Sequence, residues 1–248
     1  MVSLINRIIS KYSETYWKYK RHKSNIRIKH GGIADIDKTV QIKNSNIYVD
    51  SSSKLILRKN VKLEGVDIFL TNGAYVEIND YSFLILDKNS IRPEFIVDNG
   101  SLVIGNHTKL ACQRFWIRFG GKCKIGNYTN INSGTEIRVD ELVCIGDFYQ
   151  ISYNIRIWDT NTHCIYPSEK RKKMTIDLFP SFGKEYEKPD TRPVKIGNGC
   201  WLGERVSILK GSELGDSVII GFNTIISNKK IVSNSSVVQH IDLCIRNL

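Results

Sequence analysis

"VKIGNGCWLGERVSILKGSELGDSVIIGFNTIIS", residues 194–227, places an aliphatic side chain at every sixth position: Ile196, Leu202, Ile208, Leu214, Ile220 and Ile226. An α-helix repeats its faces every three or four residues, so this period excludes a helix. It suits short strands joined by turns in which Gly and Asn take the left-handed backbone conformation. Three such strands close one triangular coil of 18 residues, the spacing from Ile196 to Leu214. The sixth-position aliphatics then stack inside, and neighbouring coils bury one another's faces, as solenoid repeats require.

Working outward, the phrase Ile/Leu-Gly-Asn/Asp recurs at 104–106, 125–127, 145–147, 196–198 and 214–216. The spacing of six returns in Ile125, Ile131, Ile137 and in Ile145, Ile151, Ile157. Before residue 104 the rhythm is degraded, but "NGAYVEIND" (72–80) and "NGSLVIGN" (99–106) echo "GGKCKIGN" (120–127). The expected architecture is all-β: a parallel solenoid over residues 31–238.

The pattern breaks once. Ile145 and Ile196 stand 51 residues apart where one coil takes 18, so about 33 residues leave the solenoid and return. Four of the five prolines (Pro167, Pro180, Pro189, Pro193) fall in this interval, where a missing N–H would damage a strand ladder. The inserted loop is placed at about residues 159–193, without periodicity of its own. Long insertions of this kind in compact domains are usually functional. His163 stands where the chain leaves, with Asp159 just before it. A neutral imidazole suits general-base work near neutral pH, and a carboxylate such as Asp159, or a backbone carbonyl, can fix its tautomer. His163 is also one hexad after Ile157, so a core-facing position stays open. No His/His/Glu spacing points to a metal.

The segment 194–227, with its IGN, Trp-aliphatic-Gly, Ile-Leu-Lys-Gly and final IG, resembles the hexapeptide-repeat acyltransferases, in particular the sugar and polysaccharide O-acetyltransferases. The likeness runs over about residues 100–227. It implies a left-handed parallel β-helix, a homotrimer with active sites between subunits, and acetyl-CoA as acyl donor. It implies further that His163 is the catalytic base, that Trp201 and Gly203 lie near the reacting end of the cofactor, and that Lys229 and Lys230 lie near its adenine end. An aspartate often precedes the family histidine by two residues; here that place holds Asn161, so the orienting role falls to Asp159. The implied reaction is direct acetyl transfer to a sugar hydroxyl of a bacterial surface polysaccharide or its precursor. An N-acetyltransferase of an amino sugar or small amine, and a non-catalytic glycan-binding solenoid, remain the rival readings. The tail, residues 239–248, departs from the family's pattern.

The chain has 248 residues and a formal charge of +11. Residues 1–30 hold eight Lys or Arg against the single acid Glu14, a net +7, so the charge belongs mostly to an N-terminal arm. The solenoid itself carries little excess charge and no recognition motif for nucleic acid. Val2, Ile5, Ile9, Tyr12, Tyr16 and Tyr19 stand three or four apart, one face of an amphipathic helix. Such a basic helix fits the surface of an anionic membrane (residues 1–25) and packing on the solenoid or a neighbouring subunit equally well. Gly31-Gly32 reads as its hinge into the first coil. The basic run Lys170–Lys173 suits an anionic glycan or a solvated loop tip.

No run of about 18 apolar residues is present, and Met1–Ile9, with Arg7 inside it, does not read as a secretory signal. Six dispersed cysteines fit a reducing compartment. The expectation is a cytoplasmic protein, peripheral to the inner membrane face if the arm binds lipid.

Overall fold

The structure is a computed structural model and describes residues 23–181 and 187–240. The described chain winds into three parallel sheets of nine strands, each strand bonded to those one coil before and one coil after it. The first wall runs from Asn25–Ile28 to Ile225–Ser227, the second from Ile33–Ile36 to Lys230–Ile231, and the third from Gln41–Lys43 to Ser236–Val237. This is an all-β parallel solenoid, in keeping with the expected left-handed β-helix.

The six aliphatics of residues 196–226 all face inward, none more than 5% exposed. Ile125, Ile145, Ile196 and Leu214 sit in register, one above another, on the second wall. Burying each such side chain contributes about 1.5–3 kcal/mol, an upper figure for a real unfolded chain. Strand after strand alternates one buried and one partly exposed residue, as in Arg114–Ile117 and Glu136–Val139. One face of each wall is core and the other is outside.

The repeated Gly-Asn/Asp has two separate physical causes. A Cβ on Gly105 would stand 2.5 Å from the Gly126 carbonyl carbon, and one on Gly126 2.4 Å from the Gly146 carbonyl oxygen. The next coil's backbone leaves no room for a side chain. The residue that follows caps the coil beneath: Asn127 Oδ1 accepts from the Asn106 N–H (2.8 Å), Asp147 Oδ1 from Asn127 (2.7 Å), and Asn198 Oδ1 from Asp147 (2.9 Å).

Coil length explains the weak rhythm before residue 104. Asn25 pairs with Asn46, 21 residues on, and Tyr75 with Ser101, 26 on, whereas Lys195 pairs with Glu213, 18 on. Extra residues sit in corners and leave the inward positions intact, but they spoil a count of six.

Three expectations need adjusting. The solenoid starts inside the span assigned to the basic arm: Asn25–Ile28 is its first strand, with Ile26 buried opposite Ile47. Flanking Arg27 and Lys29 hid that short alternation. Gly31-Gly32 is an ordinary corner of the first coil rather than a hinge: Gly31 has φ +95°, and a Cβ on Gly32 would stand 2.2 Å from the Asp50 carbonyl oxygen. The insertion contains a helix, Ser168–Asp177, with no buried residue. The amphipathic helix read over residues 2–19 and most of the tail lie outside the described residues.

Candidate active site

The break in the spiral falls at the corner between the first and second walls. Strand Arg156–Trp158 is this coil's side of the first wall, and its side of the second comes only at Val194–Ile196, which pairs directly with Val143–Ile145. The neck is stitched shut. Thr160 bridges Thr191 in antiparallel fashion, the Arg192 N–H donates to the Asp159 carbonyl (2.9 Å), and the Asn161 N–H to the Asp190 carbonyl (3.0 Å). Side chains add to it: Thr191 bonds Glu141, and Lys210 pairs with Asp190.

Asp159 is fully buried at this neck. Its Oδ1 accepts the Asp140 N–H (2.8 Å), and its Oδ2 accepts those of Glu141 (2.8 Å) and Leu142 (2.6 Å). The carboxylate thus caps the corner of the coil below. Burial pushes its pKa up to about 6, with the Asp140 charge adding to the rise and the three amides opposing it. An acid whose pKa is higher folded than unfolded (ordinarily about 3.9) stabilises the fold below pH 4. That contribution disappears as pH rises through about 6. The Asp159 carboxyl carbon resonance should therefore titrate near pH 6; a midpoint below 4 would contradict this account.

A second buried pair lies beside it. Arg118 makes a bidentate bond to Asp140, Nε to Oδ1 at 2.9 Å and a terminal nitrogen to Oδ2 at 2.7 Å. The same terminal nitrogen donates to the Thr162 carbonyl (3.3 Å). The Thr160 hydroxyl donates to Asp140 (2.7 Å) and accepts the Thr162 N–H (3.0 Å). Thr162, itself buried, is held at φ +67°. On the outer face of the first wall, the Arg138 guanidinium lies between the Trp116 and Trp158 rings, 5.3 and 4.6 Å from their centroids. The Trp158 indole N–H is buried without an acceptor among the described residues.

His163 follows Thr162 and is exposed, outside the core. The inward position one hexad past Ile157 is not used, because the strand ends at Trp158 and the chain turns out. His107 stands elsewhere, at the corner between the second and third walls. It is stacked between Tyr81 (5.1 Å) and Tyr128 (4.9 Å), with Phe148 next in the column.

The remaining predicted residues divide into two groups. Lys230 begins the last described strand of the second wall and Lys229 directly precedes it, above the corner from which His163 emerges. Lys230 pairs with Glu213 (3.1 Å) and, with Lys195 and Cys144, lines an open groove of about 590 Å³ along that wall. Trp201, half exposed, sits on the third wall between Gln150 and Ile219. A triangular coil puts that wall opposite the corner bearing His163. One chain cannot bring Trp201 and His163 together. Gly203 has a packing reason to be glycine, since a Cβ would stand 2.9 Å from the Phe222 nitrogen of the next coil.

Arg118, Asp140 and Thr160 went unnoticed in the sequence. The signal was there: they occupy matching places in successive coils, as the pairings of Trp116 with Arg138 and Arg138 with Trp158 show. Reading down the coils instead of along the hexads would have aligned them. Among the described residues, no group of three or more His, Cys, Asp or Glu is positioned to hold a metal ion.

Residues 193–228 match the family model "Bacterial transferase hexapeptide (six repeats)". No curated protein sequence matches the chain. Solved structures to which the chain is similar include the polySia specific acetyltransferase NeuO, 19% identical over 89% of this chain and 83% of that one, TM-score 0.49. Another is the hexapeptide-repeat containing acetyltransferase VCA0836 from Vibrio cholerae O1 biovar eltor, complexed with acetyl coenzyme A. It is 18% identical over 54% of this chain and 64% of that one, TM-score 0.42. A third is the polysialic acid O-acetyltransferase OatWY, 19% identical over 87% and 81%, TM-score 0.40. The matched segment, residues 193–228, thus carries the hexapeptide repeat of bacterial transferases, and it forms the last coils of the parallel solenoid described above.

Proposed function

We propose that this protein is an acetyl-CoA-dependent O-acetyltransferase acting on a sugar hydroxyl of a bacterial surface polysaccharide or its precursor. One observation carries the reading. Among the described residues the solenoid's longest insertion leaves at one corner, and an exposed imidazole follows directly on the stitched neck of that opening. An alcohol is a weak nucleophile near neutral pH, so the reaction needs a base at the acceptor. An imidazole nitrogen of His163 takes the hydroxyl proton while the oxygen attacks the thioester carbonyl. The tetrahedral oxyanion collapses, the C–S bond breaks, and the imidazolium returns its proton to the departing CoA sulfur. Cys164 is not needed as an acyl carrier.

A homotrimer fits the geometry. Trp201 on the third wall can approach His163 only from a neighbouring copy, so a site using both is shared. The cofactor would then lie along the second-wall groove, with its phosphates toward Lys195, Lys229 and Lys230. Lys170–Lys173 on the exposed helix would favour an acidic glycan by long-range attraction, an effect that salt weakens.

The test is incubation with acetyl-CoA and a panel of bacterial glycans, following ester formation by mass. The expected product is alkali-labile and forms on acceptors whose amines are already blocked. Product on free amines alone would move the assignment to N-acetylation. CoA release with no acceptor in the panel would count against a sugar.

A further inference from the structure

We propose that Arg118, Asp140 and Thr160 form a clamp that positions His163, an inference that rests on the reading of His163 as the base. The clamp ties three successive coils of the first wall to the residue just before the imidazole. Arg118 belongs to the lowest coil, Asp140 to the next, and Thr160 to the coil that opens. All three are buried, at 7%, 0% and 5% exposure.

Both backbone groups of Thr162 are held by it. The carbonyl accepts from Arg118 at 3.3 Å, and the N–H donates to the Thr160 hydroxyl at 3.0 Å. A side chain with a branched Cβ resists a positive φ, so Thr162 at +67° persists only because its surroundings impose it. Fixing the peptide on either side of Thr162 fixes the direction in which the chain delivers His163.

A buried ion pair is weak evidence of stabilisation, because desolvating both charges offsets much of their attraction. Here its geometry is specific. The planar fork of Arg118 serves the Asp140 carboxylate and the Thr162 carbonyl at once, which a lysine's single nitrogen does less well. A pair whose only task was to join two coils would not need to reach the exit peptide. The clamp is therefore a positioning device for the base and touches neither substrate.

Three variants test it on the full chain. Thr160→Val keeps the volume and the Arg118–Asp140 pair but removes the hydroxyl, and Thr160→Ser restores it. Arg118→Lys removes the fork. The expected result is a fall in kcat of roughly 10-fold for Thr160→Val and up to about 100-fold for Arg118→Lys, since small misplacements of a reacting group carry such factors. KM for acetyl-CoA should stay within about twofold, and Thr160→Ser should recover most of the rate. Amide exchange at Thr162 and His163 should quicken in Thr160→Val while the walls stay protected.

A kcat unchanged in folded Thr160→Val, with His163→Ala inactive, overturns the clamp alone. Equal activity of Thr160→Val and Thr160→Ser, both reduced, also overturns it, because the hydroxyl would then be irrelevant. Activity retained in His163→Ala overturns the base reading and the clamp's catalytic role with it. Should Arg118→Lys fail to fold, the Thr160 pair decides.

Discussion

Replacing His163 by alanine is expected to lower kcat for acetyl transfer by about 10²–10⁴-fold, the range that a positioned general base supplies. KM for acetyl-CoA should change by less than about twofold, because the ring acts on the acceptor's proton and not on the donor. The fold should be indifferent. His163 is exposed, and the neck beneath it is built from the backbone of Asp159, Asn161 and Arg192 and from the Arg118–Asp140–Thr160 group. The melting temperature should therefore match that of the parent within about a degree. His107→Ala is the control, since that ring stacks on Tyr81 and Tyr128 at a different corner. It should leave the rate within about twofold. A His163→Ala enzyme that keeps more than half its activity would end the acid–base account.

Much of this could be read before any coordinates. A period of six fixes a three-walled coil because no other regular backbone repeats its inner face at that interval. The gap between Ile145 and Ile196 located the opening because a coil of known length makes the surplus countable. What stayed hidden is what depends on stacking across coils. Asp159 was legible as a carboxylate near a histidine, yet its three amide partners, Asp140 to Leu142, lie 17 to 19 residues earlier. Arg118 and Thr162 are 44 residues apart in sequence and 3.3 Å apart in space. A local motif search has no access to such pairs. Coils of 17 or 18 residues after Val194 and of 20 to 27 before Trp158 prevent a fixed offset from revealing them. The division of Trp201 and His163 between opposite sides follows from wall order, which needs strand pairings as well as strand positions. The exposed helix Ser168–Asp177 carries no buried residue, so it lacks the apolar stripe by which a helix announces itself.

Substituting alanine for Gly126 should destabilise the protein far more than the same change at Gly120, although the two glycines are six residues apart. At Gly126 the new Cβ would stand 2.4 Å from the Gly146 carbonyl oxygen and 2.5 Å from its carbon. Those are backbone atoms of the next coil and cannot rotate aside. Relief requires parting two coils, which would strain the Asn127–Asp147 capping bond of 2.7 Å at the same corner. The expected cost is at least about 3 kcal/mol, the upper end of ordinary overpacking. For a chain of this size that is a fall of about 6–12 °C in melting temperature. At Gly120 a Cβ meets nothing within 4 Å. There the penalty is only that of holding a side chain at φ +77°, about 1–2 kcal/mol. Both variants stiffen the unfolded chain to a similar extent, so that term cancels in the comparison. The difference between them isolates the coil-to-coil contact. Thermal unfolding of the two variants side by side measures it, and equal melting temperatures would mean that the glycine column serves the turns alone and not the stacking of coils.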